Sequence, residues 1–358
     1  MFLKNLSLQN FRNYKKTSFE FAPKTLVIGP NTSGKSNLIE AISLLSNGKS
    51  FKTDKEIQSI QFNEPIGRVR GKVGETELEI VLTRGEVEGQ RAPTKKFLVN
   101  GVPKRRLDFI GNLPTVIFSP LDLEVIIGSP SKRRNFMDEA LEQVDFDYRL
   151  ALSEYEKGIR QRNSLLDLTR KIGRRDVKQF EYWDNLVIKY GQIITQKREE
   201  FVGFLNSQTK EVFDFAIVYD KSVISYDRLL EYQEEEFLAG VTLVGPHRDD
   251  LFFEMYDDTK SSAKDIKFFG SRGQQRLTVL QLKLMQIVFF EQTRSTGSGQ
   301  AKESPLLLLD DIFSELDERH IVHVLSMLGN RDTVITTTHE EFVPQKYLES
   351  AKVIKLSL

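Results

Sequence analysis

Cysteine is absent from the 358-residue sequence, and its absence excludes disulfide bonds, thiolate zinc sites and cysteine nucleophiles. Charge of one sign is not in excess either, because 51 lysine and arginine residues balance 51 aspartate and glutamate residues. Such a chain has no global field that would draw it onto nucleic acid, so any surface for DNA must be a local patch. The 39% of apolar residues supply a sizeable core.

Long apolar runs are missing as well. No segment approaches the roughly 18 apolar residues of a membrane-spanning helix. Near the start of the sequence, Leu3, Leu6 and Leu8 are separated by polar residues, unlike the continuous apolar core of a signal peptide. Together with the lack of cysteine, these features favour a cytoplasmic protein.

The first motif is a phosphate-binding loop between a β-prone run and a helix predicted by apolar spacing. Its glycines let the backbone wrap phosphate groups, so that N–H groups and the helix N-terminus point at phosphate oxygens. The motif predicts ATP as ligand, with Lys35 on the β- and γ-phosphates and Ser36 on Mg²⁺. The loop consists of Gly29, Pro30, Asn31, Thr32, Ser33, Gly34, Lys35 and Ser36.

The second motif is the apolar strand 306–309, which ends in two carboxylates, Asp310 and Asp311. Beside a phosphate loop, such a strand places Asp310 on Mg²⁺ and Asp311 next to the water that attacks the γ-phosphate. Because 275 positions separate Lys35 from Asp310, a substantial insertion lies between them. Small-molecule kinases with this loop usually fit into fewer residues.

Three further motifs follow the order found in ABC ATPases. One begins an amphipathic helix and resembles the ABC signature, in which a helix N-terminus binds the γ-phosphate of ATP held by a second subunit. A polar helix cap is the alternative interpretation. Ser314 and Asp317 resemble the D-loop, and His339 resembles the switch histidine. This order predicts a homodimer that forms with ATP and encloses two ATP molecules. The signature residues are Ser271, Arg272, Gly273 and Gln274.

The predicted fold class is α/β: an ABC-type ATPase head, made of a phosphate-loop core and an antiparallel β subdomain, with an inserted helical lobe. A hairpin turn at Asn100-Gly101 belongs to the antiparallel sheet. We expect the mainly helical lobe at 121–239, and a discontinuous head formed by 1–120 with 240–358.

Two details of this organisation can be compared with the structure. Strands are predicted near 241–244 and 251–255 from short apolar runs. A helical stripe is predicted from apolar residues at spacings of three and four. The stripe contains Phe180, Trp183, Val187, Tyr190 and Ile194.

Several runs along nearly the whole chain resemble the RecF family of bacterial DNA-repair proteins. The resemblance implies a cytosolic recombinational repair factor, a weak DNA-stimulated ATPase that acts as a switch at gaps and stalled forks. It also implies DNA as a partner, together with RecO and RecR, with which the family loads the RecA recombinase. Arg12, Asn13 and Asn37 join the predicted nucleotide-binding residues. The matching runs are Asn10–Tyr14, Gly48–Thr53, Ser119–Leu123, Arg133–Asp138 and, most distinctive, Gly245–Leu251.

The sequence departs from the family pattern within the site. Asn31, Thr32 and Ser33 replace an Asn-Gly-x stretch, and because these positions vary we expect β-branched Thr32 to be tolerated. Asp311 stands where most ABC proteins carry glutamate. Aspartate is one methylene shorter than glutamate, which moves the carboxylate away from the attacking water, so we expect slow hydrolysis of ATP. A convincing Q-loop glutamine is missing.

Local basic clusters are the candidate DNA contacts, although such clusters are often only solvated helix faces. Phosphate contacts would make binding sensitive to salt and insensitive to sequence. Two rival hypotheses stay open: an ABC head whose lobe grips another protein, as transporter heads grip a membrane subunit, and a monomeric small-molecule kinase. The candidate contacts are Lys104, Arg105, Arg106, Lys132, Arg133 and Arg134.

Overall fold

The structure is a computed structural model that describes residues 3–53, 55–173, 176–256, 262–295, 304–312 and 318–357. The chain divides into two compact units. The first contains Met1–Asp122 and Gln286–Leu358, and the second contains Leu123–Met285. None of the helices in the described part of the chain is long and apolar enough to span a membrane.

The first unit contains an antiparallel sheet of six strands. In spatial order these are β2 (Tyr14–Glu20), β1 (Leu3–Phe11), β4 (Ile66–Val73), β5 (Thr76–Thr83), β8 (Lys95–Val99) and β9 (Val102–Lys104). A short ribbon pairs β6 (Glu86–Val87) with β7 (Gln90–Arg91). The predicted hairpin turn is confirmed: Asn100 and Gly101 have φ values of +51° and +76°, as the two-residue turns that fit strand twist require.

The second sheet of this unit is parallel throughout. Its strands are β10 (Thr115–Phe118), β14 (Leu306–Asp310), β15 (Thr333–Thr337), β3 (Lys24–Ile28) and β16 (Lys352–Lys355), in that spatial order. The four leucines of β14 are buried, as continuous apolar runs are in strands covered on both faces. The helices of the unit are α1 (Lys35–Asn47), α2 (Arg106–Phe109), α11 (Glu318–Leu328) and α12 (Gln345–Ser350).

Helix α1 is central to the core of the first unit. Its buried apolar residues, Leu38, Ile39, Ile42 and Leu45 among them, share one cluster with side chains from the antiparallel sheet and from β14. The helix ends at Gly48, which adopts a left-handed φ of +67° and donates its N–H to the carbonyl of Leu44. The phosphate loop is therefore anchored on a helix in which 11 of 13 residues are buried.

The second unit is mainly helical. Its helices are α3 (Glu124–Ile127), α4 (Pro130–Val144), α5 (Phe146–Ile172), α6 (Val177–Ser207), α7 (Tyr226–Glu231), α8 (Gln233–Ala239), α9 (Ile266–Phe269) and most of α10 (Arg272–Ser295). A three-stranded antiparallel sheet orders β11 (Ala216–Asp220), β12 (Asp250–Tyr256) and β13 (Ala263–Asp265). β12 pairs with β11 over Asp250–Glu254, and the unit extends to Met285, whereas the predicted lobe ends at 239.

The apolar run 241–244 does not form the predicted strand. Two of its backbone N–H groups bond to side chains instead of to a neighbouring strand: Thr242 donates to Asn163 Oδ1 (2.8 Å) and Leu243 donates to Glu236 Oε1 (2.9 Å). The strand predicted near 251–255 is confirmed as β12. The predicted loop of 295–304 lies almost entirely outside the described residues.

The predicted stripe on α6 is correct at three of its five positions. Phe180, Val187 and Ile194 are buried, whereas Trp183 and Tyr190 are only half-buried. Charged and small residues complete the buried face of α6; these are Asp184, Gly191 and Arg198. Apolar spacing alone could not reveal them, because a buried charge needs a partner from elsewhere in the fold.

Those partners form a buried ionic network around the run Gly245–Leu251. Arg198 donates to the carbonyl of Pro246 (2.7 Å) and to Asp249 Oδ2 (2.8 Å), and it pairs with Asp138 (2.7 Å). Arg162 pairs with Asp184 at 2.7 Å and with Glu236 at 2.6 Å. The most distinctive run of the sequence therefore holds the helices of the second unit together. Removing one partner of such a buried pair costs about 3–5 kcal/mol.

His247 in this run gives a pH-dependent prediction. Its Nδ1 lies 2.7 Å from Tyr155 Oη, and burial lowers the pKa of His247 to about 4. An unfolded histidine has a pKa of about 6.5, so between these values the unfolded chain binds more protons, and stability rises with pH across this window. We expect the free energy of unfolding to fall by about 2–3 kcal/mol from this histidine between pH 6.5 and 4.

Urea unfolding of the wild type and of His247→Gln at pH 4.5 and 7 measures this contribution. The carboxylates titrate in both proteins, so their effect cancels in the difference. The variant should lose less stability on acidification than the wild type. Equal losses in the two proteins would contradict a buried neutral imidazole.

Candidate nucleotide-binding site

The phosphate loop leaves β3 at Gly29 and enters α1 at Lys35, so the predicted strand, loop and helix are present. Gly34 has a φ of +105°, and a Cβ there would lie 2.6 Å from Tyr14 Oη and 2.7 Å from Asn13 Nδ2. A Cβ on Gly29 would lie 2.6 Å from Ser33 Oγ and 2.9 Å from the carbonyl of Leu356. Both positions therefore require glycine for steric reasons.

Thr32 adopts a left-handed φ of +71° at the tip of the loop. A β-branched side chain is rarely found in this region, and such backbone strain costs about 1–3 kcal/mol. The loop thus holds threonine with conformational strain that glycine would not carry. Strain of this kind is typical of residues near functional sites.

Two side chains at the β1–β2 turn donate hydrogen bonds to the phosphate loop. Asn13 Nδ2 donates to the carbonyl of Ser33 (3.3 Å), and Tyr14 Oη donates to the carbonyl of Gly34 (3.0 Å). Asn37 Nδ2 donates in turn to Asn13 Oδ1 (2.9 Å). Asn13 and Asn37 are therefore close to the predicted nucleotide site, and they bond to the loop and to each other.

Lys35 points back into the loop that precedes it. Its Nζ donates to the carbonyls of Gly29 (2.6 Å) and Pro30 (2.9 Å). Burial lowers the pKa of Lys35, while the carboxylates of Asp311 and Asp310 act in the opposite direction. The ammonium group is thus enclosed by the loop and faces two acids, as a lysine that binds phosphate groups in this loop should be.

Parallel pairing brings the acidic strand to the same edge as the loop. β15 pairs with β14 through Asp310↔Thr336 and with β3 through Thr337↔Ile28. The carboxyl ends of all three strands consequently meet beside the phosphate loop, which is where open α/β sheets bind ligands.

Ser36 and Asp310 are in direct contact at this edge. Ser36 Oγ donates to Asp310 Oδ1 (3.0 Å), which also accepts a hydrogen bond from Thr336 Oγ1 (2.8 Å). A hydroxyl and one carboxylate are suitable protein ligands for Mg²⁺, which otherwise keeps water and phosphate oxygens. Ser36 and Asp310 thus fit a Mg²⁺ ion that is shared with a phosphate. Among the described residues, no group of three or more His, Asp or Glu side chains could hold a metal ion.

The two remaining catalytic candidates follow the ends of β14 and β15. Asp311 has a left-handed φ of +53°, and its N–H is directed at Thr336, 3.1 Å from Oγ1 and 3.2 Å from the carbonyl oxygen. His339 is exposed, and its Nδ1 lies 3.2 Å from Glu341 Oε1. Both residues therefore lie near the edge that carries the loop. The D-loop residues Ser314 and Asp317 lie outside the described residues.

Arg12 is held by a carboxylate that sequence patterns did not single out. Its Nε and Nη2 donate to the fully buried Glu40 of α1 (2.9 and 2.6 Å), and its Nη1 donates to the carbonyl of Gln58 (3.1 Å). Ser50 and Ser59 also donate to Glu40 Oε1. Glu40 thus fixes Arg12 relative to the helix that begins at the phosphate loop.

Lys52 is a second residue near the site that the sequence analysis did not predict as a site residue. Its Nζ donates to Asn37 Oδ1 (3.0 Å), one residue after the metal-ligand candidate Ser36. Burial lowers the pKa of Lys52, while the carboxylates of Glu40 and Asp310 oppose this effect. The sequence signal for this residue was its place in the run Gly48–Thr53, which resembles the family pattern.

The signature residues begin α10 in the second unit. The N–H of Ser271 donates to Gln274 Oε1 (2.8 Å), and the N–H of Gln274 lies 3.2 Å from Ser271 Oγ. This reciprocal pair is a capping box, so the cap that was the alternative interpretation is present. Gln275 Nε2 binds the carbonyls of Ile266 and Lys267 at 3.2 Å. Ser271, Arg272 and Gly273 are exposed, so capping leaves this helix N-terminus accessible.

The four arginines of the predicted DNA clusters each bond to a group within their own unit. Arg105 pairs with Asp108, and Arg106 donates to the carbonyl of Asn47. Arg133 is buried and binds Asp250 at 2.6 Å, and Arg134 donates to the carbonyl of Asp249. These internal bonds disfavour Arg133 above all as a phosphate contact. The exposed members of the clusters include Lys104 and Lys132.

Comparison with known proteins places these features in a family context. The RecF/RecN/SMC N terminal domain model matches residues 2–356. The DNA replication and repair proteins RecF of Bacillus thuringiensis (strain Al Hakam) and Bacillus cereus (strain B4264) are each 33% identical, over 100% of this chain and 97% of their own.

A solved structure of the recombination mediator protein RecF-ATP in the RecFOR pathway matches with a TM-score of 0.83 at 30% identity, over 96% of this chain and 93% of the other. An Smc head domain from Pyrococcus furiosus, at 19% identity, has a TM-score of 0.52 and shares the fold. The predicted ABC-type α/β head with a helical insertion is thereby confirmed.

Replacing Gly34 by alanine tests the geometry of the loop. A Cβ at φ +105°, crowded by Asn13 and Tyr14, should distort the loop and weaken ATP binding by about tenfold or more. Gly203→Ala is the matched control, since this helical glycine has open space around its Cβ position. Titration with a fluorescent ATP analogue measures both. Equal affinity of Gly34→Ala and wild type would refute the loop as the phosphate site.

Proposed function

The chain belongs to the RecF family, and on this premise we propose that it is an ATP-dependent DNA-binding factor of recombinational repair. It would dimerise on DNA at gaps and stalled forks in the cytosol when ATP is bound, and help RecO and RecR to load RecA. Slow hydrolysis of ATP would reset this clamp. The observation that carries the proposal is the Ser36–Asp310 contact beside a phosphate loop, in a chain that matches RecF over nearly its full length.

The side chains of the site support ATP and Mg²⁺ as ligands. Lys35 would exchange its bonds to the loop carbonyls for bonds to the β- and γ-phosphates, and the N-terminus of α1 would face the same oxygens. Ser36 and Asp310 would hold Mg²⁺, which when bound neutralises developing charge on the phosphates. The solved RecF–ATP structure, which this chain matches, supports the choice of nucleotide.

The accessible signature supports dimerisation. Ser271 and Gly273 are exposed at the N-terminus of the 24-residue helix α10, where backbone N–H groups and the helix dipole favour an anion. In the proposed dimer, this terminus would bind the γ-phosphate of ATP held by the other chain. His339 would contact that γ-phosphate from the chain that holds the nucleotide.

Asp311 supports slow turnover. Its backbone has a left-handed φ and its N–H is paired with Thr336, so a backbone shift that compensated for the missing methylene of glutamate would break this hydrogen bond. We propose that Asp311 orients the attacking water and accepts its proton, less effectively than glutamate would.

The solution mass of the wild type, with and without ATP, Mg²⁺ and duplex DNA, tests the dimer. ATP should double the mass, and DNA should favour the dimer. Ser271→Arg should stay monomeric with ATP, because its bulk blocks the helix N-terminus. Ser271→Asp keeps a helix-capping group but adds a charge that repels phosphate, so it should stay monomeric as well.

Ser271→Asn is the matched control, because it caps the helix without charge and should retain some ATP-dependent dimer. If ATP leaves the mass of the wild type unchanged, the trans-signature mechanism is wrong. If all three variants dimerise normally, Ser271 acts only as a helix cap.

Turnover of Asp311 variants tests the hydrolytic role. Asp311→Asn should bind ATP normally and hydrolyse it about 100-fold more slowly, since general-base catalysis is worth about 10²–10⁴. Asp311→Glu should raise turnover by restoring the methylene. Asp227→Asn, at an exposed position on α7, is the control. Fast wild-type turnover that Asp311→Asn leaves intact would exclude this role.

A further inference from the structure

A groove of about 520 Å³ runs across the solvent-facing side of the antiparallel sheet in the first unit. It crosses β2, β1, β4 and β5, and it has no part in the phosphate-loop site. Its polar lining includes Ser7, Gln9, Lys16, Arg68, Arg70 and Glu79. We call this feature the sheet groove.

Strand register explains why these side chains share one face. Gln9 is paired with Lys16 on one side and with Arg68 on the other, and Ser7 is paired with Arg70. Directly paired residues point to the same side of a sheet, and alternate residues along a strand return to that side. The intervening residues, such as Leu6, Leu8 and Val69, are buried in the core on the opposite side.

Two carboxylates, Glu79 and Glu77, pair with the arginines of the sheet groove. Glu79 is buried and accepts hydrogen bonds from Arg68 Nη1 (3.0 Å) and Arg70 Nη2 (3.1 Å), while both guanidinium groups stay nearly half exposed. Among the described residues, Lys16 makes no ion pair. Three cations and one carboxylate line the groove, and Glu77 Oε1, outside the lining, lies 3.8 Å from Arg70 Nε, so the cations exceed these two carboxylates by one. The two carboxylates therefore hold Arg68 and Arg70 in place without cancelling the positive charge of the groove.

We propose that the sheet groove binds the sugar–phosphate backbone of duplex DNA, an inference that rests on the proposed DNA-binding function. Lys16, Arg68 and Arg70 would contact phosphates, and Ser7, Ser18 and Gln9 supply the hydroxyl and amide donors that commonly bind phosphate oxygens. The cations span three neighbouring strands, a width of about 10 Å at about 4.8 Å per strand. Successive phosphates of one DNA strand rise by about 3.4 Å along the duplex axis, so more than one phosphate can reach the groove.

The lining also indicates which polyanion fits. It contains no aromatic side chain on which an unpaired base could stack, as surfaces for single-stranded nucleic acid commonly provide. Its only apolar member, Leu8, is buried, so no apolar side chain is presented to a lipid surface. The guanidinium groups of Arg68 and Arg70 are held by Glu79 and lie beside small hydroxyl residues. This arrangement suits the regularly spaced phosphates of a duplex.

Neutralising the groove tests the proposal. The variant Lys16→Gln/Arg68→Gln/Arg70→Gln removes three charges but leaves amides that can still donate to Glu79. The matched control variant is Lys157→Gln/Arg160→Gln/Lys178→Gln, which removes three charges from exposed positions on α5 and α6. Fluorescence anisotropy with a labelled duplex, in the presence of ATP and at several salt concentrations, measures affinity and its salt dependence. ATP-analogue binding confirms that each protein is folded.

We expect the groove variant to bind duplex DNA at least about tenfold more weakly. The slope of log affinity against log salt should fall in magnitude by about 2–3, since each phosphate contact contributes about 0.9. The control variant should stay close to wild type on both measures, and all proteins should bind the ATP analogue equally.

Three outcomes would overturn the inference. The first is a groove variant that keeps the wild-type affinity for duplex DNA and the wild-type salt slope. The second is an equal loss of DNA affinity in the two triple variants. Loss of binding to phosphatidylserine vesicles or to polyglutamate, with duplex binding intact, would reassign the groove to a different polyanion. A wild type that binds no duplex DNA at all would instead show that the proposed function itself is wrong.

Discussion

Parallel pairing of β15 with both β3 and β14 is the constraint on which the candidate site depends. It brings together Ser36 and Asp310, which lie 274 positions apart, within 3.0 Å of each other. Thr336 joins the two motifs, because it pairs with Asp310 through its hydroxyl and belongs to the strand beside the phosphate loop. Any change that shifted this register by one residue would turn Asp310 to the other face of the sheet.

The parts of the site that depend on local sequence could be predicted. The phosphate loop and the strand ending in Asp310 each combine a required residue order with a characteristic apolar pattern. Glu40 could not be predicted, because a glutamate on a helix usually lies at the surface, and its partners come from two other segments. The strand prediction for 241–244 was wrong because of contacts distant in sequence. Its apolar residues suit a strand, but its backbone N–H groups donate to the side chains of Asn163 and Glu236 instead of to a neighbouring strand.

Clusters of charge in sequence and clusters of charge in space are different in this protein. Arg133 and Arg134 are neighbours along α4, yet both bond to the Asp249–Asp250 segment within their unit. Lys16, Arg68 and Arg70 are dispersed along the chain, yet strand pairing places them around one groove. Buried ion pairs such as Arg198–Asp249 contribute little net stability but restrict the packing to arrangements in which every charge has its partner. Most of the distinctive run Gly245–Leu251 is explained by this packing.

The Glu40 cluster also has an evolutionary consequence. Arg12 and Glu40 are 28 positions apart, and each would leave the other as an unpaired charge if it alone were replaced. Ser50 and Ser59 add two more donors to the same buried carboxylate. These four positions should therefore covary among homologues, and lineages that lose the glutamate should also have replaced the arginine.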